Sequence, residues 1–344
     1  MPNKLLFTVL LALAAVSLTA LDIQRGKLKL TVNEKNGRFV LYGSEDQVNP
    51  AWTPLFLADD PKTTKWKLEI ADKTYVLGDD PAFTTAVEET ATGARITWTS
   101  KIVTATLSLE FVLSANSAAA DGLKLDLTLV NNSTSLIRGG VRWVLDTNLG
   151  EKKEHFRLAS GDAVSSETKL EGTYPDFWVS PSSADSAFGL IVMLGKGSTP
   201  PSRVIFANWK RLDDSVWDSG FKQGREFNLL PYSVNDSAVA EYWEPQDIAP
   251  GLSREILVTI GLLSAQTFAD SRAASANPLD DLLKKNRNPA LSAIDQDIAS
   301  LDTLAAQIDA KLADPAKITP EDLKLLQAVL DQIEARKNSL TVKP

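Results

Sequence analysis

The sequence predicts a mainly β protein: a large two-sheet antiparallel β-sandwich followed by a C-terminal antiparallel α-helical hairpin. Three observations carry this. Short apolar alternations with a period of two recur between residues 27 and 261. Gly, Pro, Asn and Asp separate them, and no helical pattern intervenes. After Phe268, the last aromatic residue, the apolar period changes to steps of three and four.

The chain opens with MPNKLLFTVLLALAAVSLTA, residues 1–20, in which Lys4 is the one charge. A short positive start, an apolar stretch and a small residue at Ala20 form the pattern of a secretory signal, with cleavage before Leu21. The competing reading is an uncleaved anchor. The stretch is short for a spanning helix, which needs about 20 apolar residues, and Asp22, Gln24 and Arg25 follow directly. The expected location is therefore the periplasm, the cell surface or the extracellular space. With no cysteine in the chain, a cysteine-linked lipid anchor, disulfides and thiolate metal sites are excluded. A net charge of −8 argues against nucleic acid and anionic membrane surfaces as partners.

Residues 21–268 are expected to form the sandwich. KLKLTV (27–32), RFVLYG (38–43), ARITWTS (94–100), TATLSLEFVL (104–113) and GLKLDLTLVNN (122–132) alternate strictly. REILVTIG (254–261) and DSAVAEYWEP (236–245) follow the same period. Many strands without helices between them mean a sandwich or barrel. The span exceeds one immunoglobulin-like unit of ~100 residues, which favours one large sandwich over two small ones.

Residues 269–287 read as a linker and 288–340 as the hairpin. In the first helix Leu291, Ile294, Ile298, Leu301, Ala305, Ile308 and Leu312 recur at alternating steps of three and four, an a/d seam. The second begins at ITPEDL, with Thr319 as N-cap, Pro320 at the first helical position and Asp322 at the third. Leu323, Leu326, Leu330, Ile333 and Leu340 continue a matching seam, broken at Lys337. Leu325 and Val329 add a second apolar flank that one partner helix cannot cover. That flank either packs on the sandwich or docks onto another protein or a second copy, and both residues are candidate partner-docking positions. Asp295, Asp302 and Asp309 form an acidic row read as a solvated edge.

Chemistry-bearing motifs are sparse. His155, the one histidine, lies in EKKEH near Asp146, Glu151 and Glu154. A carboxylate could orient it as a general base; the plainer reading is a surface histidine in a charged turn whose acids pair with Lys152 and Lys153. Nothing matches a nucleophile elbow, a phosphate loop or a two-histidine zinc motif. Neither a metal nor a cofactor is expected. Glycoside hydrolysis needs paired carboxylates, for which Asp146, Glu151, Asp176, Asp213, Asp214, Glu241 and Glu244 are candidates. YPDFW, FANWKRLDDSVWD and EYWEP set aromatics beside polar residues, as sugar stacking requires. Tyr174, Trp178, Trp209 and Trp217 are the candidate ligand-binding residues, with the three tryptophans expected near the surface, whereas Trp143 and Trp243 read as core.

NNSTSLIRGGVRWVLDTNLG, YPDFWVSP, PSRVIFANWKRLDDSVWD and DSAVAEYWEPQDIAPGLSREILVTIGL form an ordered series over roughly 125–263. The series resembles a poorly characterised family of secreted bacterial β-sandwich proteins. These show R-x-x-L-D-T-x-x-G at a strand end, then F-A-N-W, then D-S-A-V-x-x-Y-W. The family pattern has an N-D-G-x-P-F-like turn where this chain reads EKKEHF. The resemblance implies a sandwich and no particular activity. A weaker, architectural resemblance is to the supersandwich of galactose mutarotase-like proteins. Their epimerase chemistry uses histidines with a carboxylate, which one histidine does not supply.

The expected function is that of a non-enzymatic exported structural or interaction protein. Its sandwich would offer a binding surface and its hairpin a docking arm or oligomer contact, as in an accessory of an envelope or periplasmic flagellar-type assembly. The alternative is a carbohydrate-binding module holding a cell-wall or extracellular glycan on exposed Trp and Tyr. The third is a glycoside-active enzyme.

Overall fold

The computed structural model describes residues 20–59, 62–115, 117–147, 149–263, 268–274, 279, 294–313 and 318–341. The expected signal lies outside them except for Ala20, as do most of the linker and the first six residues of the predicted hairpin.

The described residues form twenty strands in three antiparallel sheets. β1 (Ala20–Arg25), β2 (Leu28–Asn33), β3 (Phe39–Gly43) and β4 (Thr53–Pro54) make a four-stranded sheet. A six-stranded sheet comprises β5 (Lys65–Ile70), β6 (Lys73–Val76), β11 (Ile137–Leu145), β14 (Thr168–Glu171), β17 (Arg203–Asn208) and β18 (Ser237–Ile248), in the order β14-β17-β18-β11-β5-β6. A ten-stranded sheet takes β7 (Thr84–Thr90), β8 (Gly93–Thr99), β9 (Val103–Leu113), β10 (Gly122–Asn131) and β19 (Ser253–Leu262). Its other members are β12 (Phe156–Leu158), β13 (Ala163–Val164), β15 (Phe177–Pro181), β16 (Gly189–Met193) and β20 (Arg272–Ala273).

The fold is the large antiparallel sandwich that the alternations predict. In β10, Leu123, Leu125, Leu127 and Leu129 are fully buried while the residues between them are half-buried. Period two makes that split, because successive side chains leave opposite faces. One core joins Leu107, Leu125 and Leu127 of the ten-stranded sheet to Leu68, Trp143 and Val239 of the six-stranded sheet and Leu30 and Leu41 of the four-stranded sheet. Each such side chain contributes roughly 1.5–3 kcal/mol by burial. Trp143 and Trp243 are core, as expected: Trp66 stacks on Trp143 at 5.0 Å and lies 6.4 Å from Trp243.

A short helix α1 (Trp209–Asp214) lies on the outer face of the six-stranded sheet, with Leu212 packed on Ala238, Ala240 and Tyr242. Arg142 is completely buried there and holds the end of α1, donating to Leu212 O and to Ser215 Oγ at 2.8 Å. Lys67 adds bonds to Asp213 O at 2.8 Å and Ser215 O at 3.1 Å. Cations on the last carbonyls of a helix satisfy acceptors that have no partner within it.

The hairpin helices are α2 (Ile294–Ala313) and α3 (Pro320–Thr341). The predicted cap forms: Asp322 N–H donates to Thr319 Oγ1 at 3.1 Å and Thr319 N–H donates back to Asp322 Oδ2 at 3.0 Å. The predicted seam holds only in part: of its described residues, Ile308 and Leu326 pack on the cluster of Ala118, Leu279, Leu304 and Val329. Leu301, Leu312, Leu323 and Leu330 are exposed, and the buried stripe of α3 runs through Asp322, Leu325 and Val329. Val329 is fully buried against Ala118, Leu279 and Leu304, and Leu325 packs on the same cluster. The flank offered for an external partner is therefore covered by the chain itself. An a/d assignment assumes that the only neighbour is the other helix, whereas here the sandwich edge at Ala118 competes for the apolar face.

Glu241 is the exception within the core. It alternates with Val239 and Trp243 on the inward face of β18 and is 2% exposed. Trp178 Nε1 donates to its Oε1 at 2.9 Å. Burial pushes its carboxyl from 4.5 up to about 7, the indole bond opposing the shift. Between these values the folded chain holds a proton that the unfolded chain has released, so stability falls as pH rises through this window and is level above it. Glu241→Gln keeps an oxygen for Trp178 and cannot ionise. In urea unfolding it should leave stability at pH 4 nearly unchanged and raise it at pH 8 by on the order of 3 kcal/mol.

Candidate functional site at the 146–155 loop

β11 ends at Leu145, and the chain turns through Asp146 and Thr147, both buried. Asp146 C=O accepts from Leu57 N–H at 2.9 Å, and Asp146 N–H donates to Thr64 Oγ1 at 3.1 Å. Thr147 Oγ1 lies 2.7 Å from Ser180 Oγ. Leu149 C=O accepts from Ser183 N–H at 2.8 Å, and Lys152 N–H donates to Ser183 Oγ at 3.2 Å. Gly150 is required where it stands, because a Cβ there would sit 2.1 Å from Glu154 O. Backbone bonds and the hydroxyls of Thr64, Ser180 and Ser183 thus fix the loop.

The turn then sorts its charges. Glu151 Oε1 accepts the Ser237 N–H at 3.1 Å. Glu154 takes Arg157 through two bonds, at 2.8 and 2.6 Å. His155 Nδ1 lies 2.8 Å from Ser237 Oγ, and its ring meets Phe227 edge-on at 4.8 Å. The expectation of a surface histidine among internally paired charges is therefore corrected: His155 is half-buried, and neither acid pairs with Lys152 or Lys153.

Ser237 joins these groups, since its amide meets Glu151 and its hydroxyl meets His155. Burial pushes the Glu151 carboxyl up to about 7, with the Asp236 charge adding to the rise and the Ser237 bond opposing it. Burial pushes the His155 imidazole below its usual 6.5. Glu151 can therefore change protonation close to neutrality, which is what proton transfer at pH 7 requires.

Two scaffolds hold this cluster. Asn208 is fully buried before α1; its Oδ1 accepts Arg211 N–H, and its Nδ2 donates to Phe227 O, Ser233 Oγ and Asp236 O at 2.9–3.0 Å. Arg211 and Arg225 both pair with the fully buried Glu167, at 2.7 and 2.8 Å. The segment 227–236 is thereby tied down beside His155, with Leu230, Tyr232 and Val234 exposed at its tip.

On the other side of the loop lies a cleft of about 520 Å³. Pro54, Phe56, Leu57 and Leu149 give it apolar walls, and Thr53, Thr147, Ser182 and Ser183 line it with hydroxyls. Among the described residues, Lys152, Lys153 and Asp59 are its charged residues. Polar contacts run from cleft to cluster: Thr147 touches Ser180, Ser180 Oγ donates to His155 O at 3.4 Å, and His155 touches Ser237.

The aromatic candidates do not converge. Trp178 is fully buried between the sheets, so its expected exposure is corrected: β15 carries it inward. Trp209 is half-buried on the outer face of the six-stranded sheet and donates to Thr63 O at 3.0 Å. Trp217, half-buried on the same face, meets Tyr242 edge-on at 5.7 Å. Tyr174 donates to Ser202 O at 2.5 Å. Asp176, Asp213, Asp214 and Glu244 are ion-paired to Lys196, Lys65, Lys210 and Arg203. Sequence reasoning did not find Ser237, which carries no motif of its own; its one signal is that it opens the D-S-A-V strand.

No family model matches the chain, and no curated protein matches it. Solved structures do. A galactose mutarotase-like protein from Lactobacillus casei ATCC 334 is 11% identical, with a TM-score of 0.41, over 71% of this chain and 99% of its own. A galactose mutarotase related enzyme from Lactobacillus acidophilus is 12% identical, with a TM-score of 0.43, over 72% of this chain and 99% of its own. A polysaccharide lyase is 9% identical, with a TM-score of 0.43, over 77% of this chain and 35% of its own. The architectural resemblance inferred from sequence is to the same group of folds. The expectation of a chain without catalysis is corrected to this extent: solved structures to which the chain is similar bear enzyme names, among them the galactose mutarotase related enzyme and the polysaccharide lyase. Among the described residues no helix is long and apolar enough to cross a membrane.

Asn208→Ala removes the α1 cap and three buried bonds. It should lower unfolding free energy in urea by about 2–4 kcal/mol, with buried acceptors left unpaired. A loss under ~0.5 kcal/mol would show that segment 227–236 is held by other means.

Proposed function

We propose that the protein is a carbohydrate-active enzyme whose working group is Glu151, with His155 as its neighbour on Ser237. The observation that carries this reading is the pair of bonds at Ser237, 3.1 Å to Glu151 and 2.8 Å to His155. It supports two titratable groups fixed on one residue, of which Glu151 is poised near neutral pH. Beside the loop that carries Glu151, a cleft lined by Lys152 and Lys153, though not by Glu151 or His155, has apolar walls and several hydroxyls that suit a sugar, whose ring has apolar faces and a polar rim.

In the proposed role Glu151 is the base. Its carboxylate takes the proton from a sugar hydroxyl, and the neutral His155 ring, held through Nδ1, presents Nε2 as a hydrogen-bonding group. Because only the ionised carboxylate accepts the proton, the rate should rise with pH and level off above about 7. The assays are anomer exchange of reducing sugars by NMR and release of reducing ends from cell-wall and extracellular glycans. Glu151→Gln should fold, since its amide oxygen still accepts the Ser237 N–H, and should lose at least ~100-fold in kcat. A wild-type rate that falls as pH rises through 7, an unaffected variant, or no turnover of any sugar would each contradict the proposal.

A further inference from the structure

The geometry points to an anion-binding subsite in the cleft, formed by Lys152 and Lys153 and suited to a sugar that carries a carboxylate or a phosphate. The inference rests on the carbohydrate reading of that cleft and adds the charge of its ligand.

Three observations converge. First, both lysines line the 520 Å³ cleft, and neither makes an ion pair among the described residues. Second, the acids next to them in sequence are engaged elsewhere, Glu151 on the Ser237 amide and Glu154 on Arg157. The EKKEH turn thus sends its negative charge to the protein and its positive charge to the cleft, in a chain whose net charge is −8. Third, the surrounding chemistry completes a site. Lys152 N–H is held by Ser183 Oγ, so the base of one lysine is fixed. The Thr53 and Ser182 hydroxyls can donate to an anion or to ring oxygens, and Phe56 and Pro54 offer an apolar surface for a sugar face. Among the described residues Asp59 is the one acid lining the cleft, and it makes no ion pair with either lysine. Two lysines lining one cleft without a counter-ion favour an anion there.

The test is isothermal titration calorimetry on the full chain and on Lys152→Ala/Lys153→Ala, at low and high salt. The probes are a uronic-acid oligosaccharide, its neutral methyl ester, a hexose 6-phosphate, the free hexose and inorganic phosphate. The expected result is at least tenfold tighter binding of one acidic sugar than of its neutral form. That preference weakens at high salt and is abolished in the double variant, which lies on an exposed turn and keeps its fold by circular dichroism. Uronate against hexose 6-phosphate tells carboxylate from phosphate. Equal affinity for acidic and neutral forms would overturn the anion subsite and leave the carbohydrate reading standing. Lysine-dependent binding of inorganic phosphate with no sugar bound would keep the anion subsite and remove that reading. Binding of none of the probes, or binding indifferent to the lysines, would overturn the inference.

Discussion

The register in which β11 and β18 pair is the constraint on which the rest of the site depends. Leu145 lies opposite Val239 and Trp143 opposite Glu241. That pairing brings Ser237, the first residue of β18, to the point where the chain leaves β11 and turns into the 146–155 loop. A slip of one residue would exchange the faces of the strand, placing Tyr242 between the sheets and Glu241 outside. The register is secured at both ends. A bulge between Gly139 and Val141 takes up one residue at the far end, where a Cβ on Gly140 would lie 2.8 Å from the Pro245 ring. Arg142, on the outer face, holds α1 and so fixes Asn208 at the helix start.

The site inherits its electrostatics from this arrangement. Glu151 and His155 lie partly out of water, and desolvation disfavours the charged form of each. The shifts oppose one another, upward for the acid and downward for the base, so burial favours the neutral form of both. Neither group has an ion-pair partner to reverse the shift. The ion pairs of this region instead serve structure: Glu167 gathers Arg211 and Arg225, and Glu154 takes Arg157. Rigid backing and loosely compensated working groups are divided between neighbouring residues of the same loops.

Much of the fold was legible, and the reason is periodicity. Alternation in GLKLDLTLVNN and TATLSLEFVL marks β10 and β9 because one face of each is buried and the other is not. KWKLEI alternates just as cleanly at β5, but its pattern does not reveal that Lys67 is buried on the outer face. The short strands β12 to β14, two to four residues each, carry too little pattern to read. Arg142, Asn208 and Gly150, prominent in the family-like segments, prove to be structural: they end a helix, cap it and permit a turn. The site itself was only half visible. Glu151 and His155 are rare or charged residue types and invite attention, whereas Ser237 is unremarkable until β18 brings it, eighty-two residues later in the chain than His155, to within 2.8 Å. The tryptophans misled for the opposite reason. Proximity to turn residues suggested exposure for Trp178, but strand direction decides which way a side chain faces.

The most direct test of the central claim uses the fact that the chain holds one histidine. In the NMR spectrum of the intact protein its imidazole signals need no assignment. If Ser237 joins His155 to Glu151, the imidazole should titrate below 6.5, and its shifts should show a second inflection near 7 from Glu151. Glu151→Gln should remove that second inflection and leave the first. A single titration at 6.5 or above, unchanged by Glu151→Gln, would contradict the account.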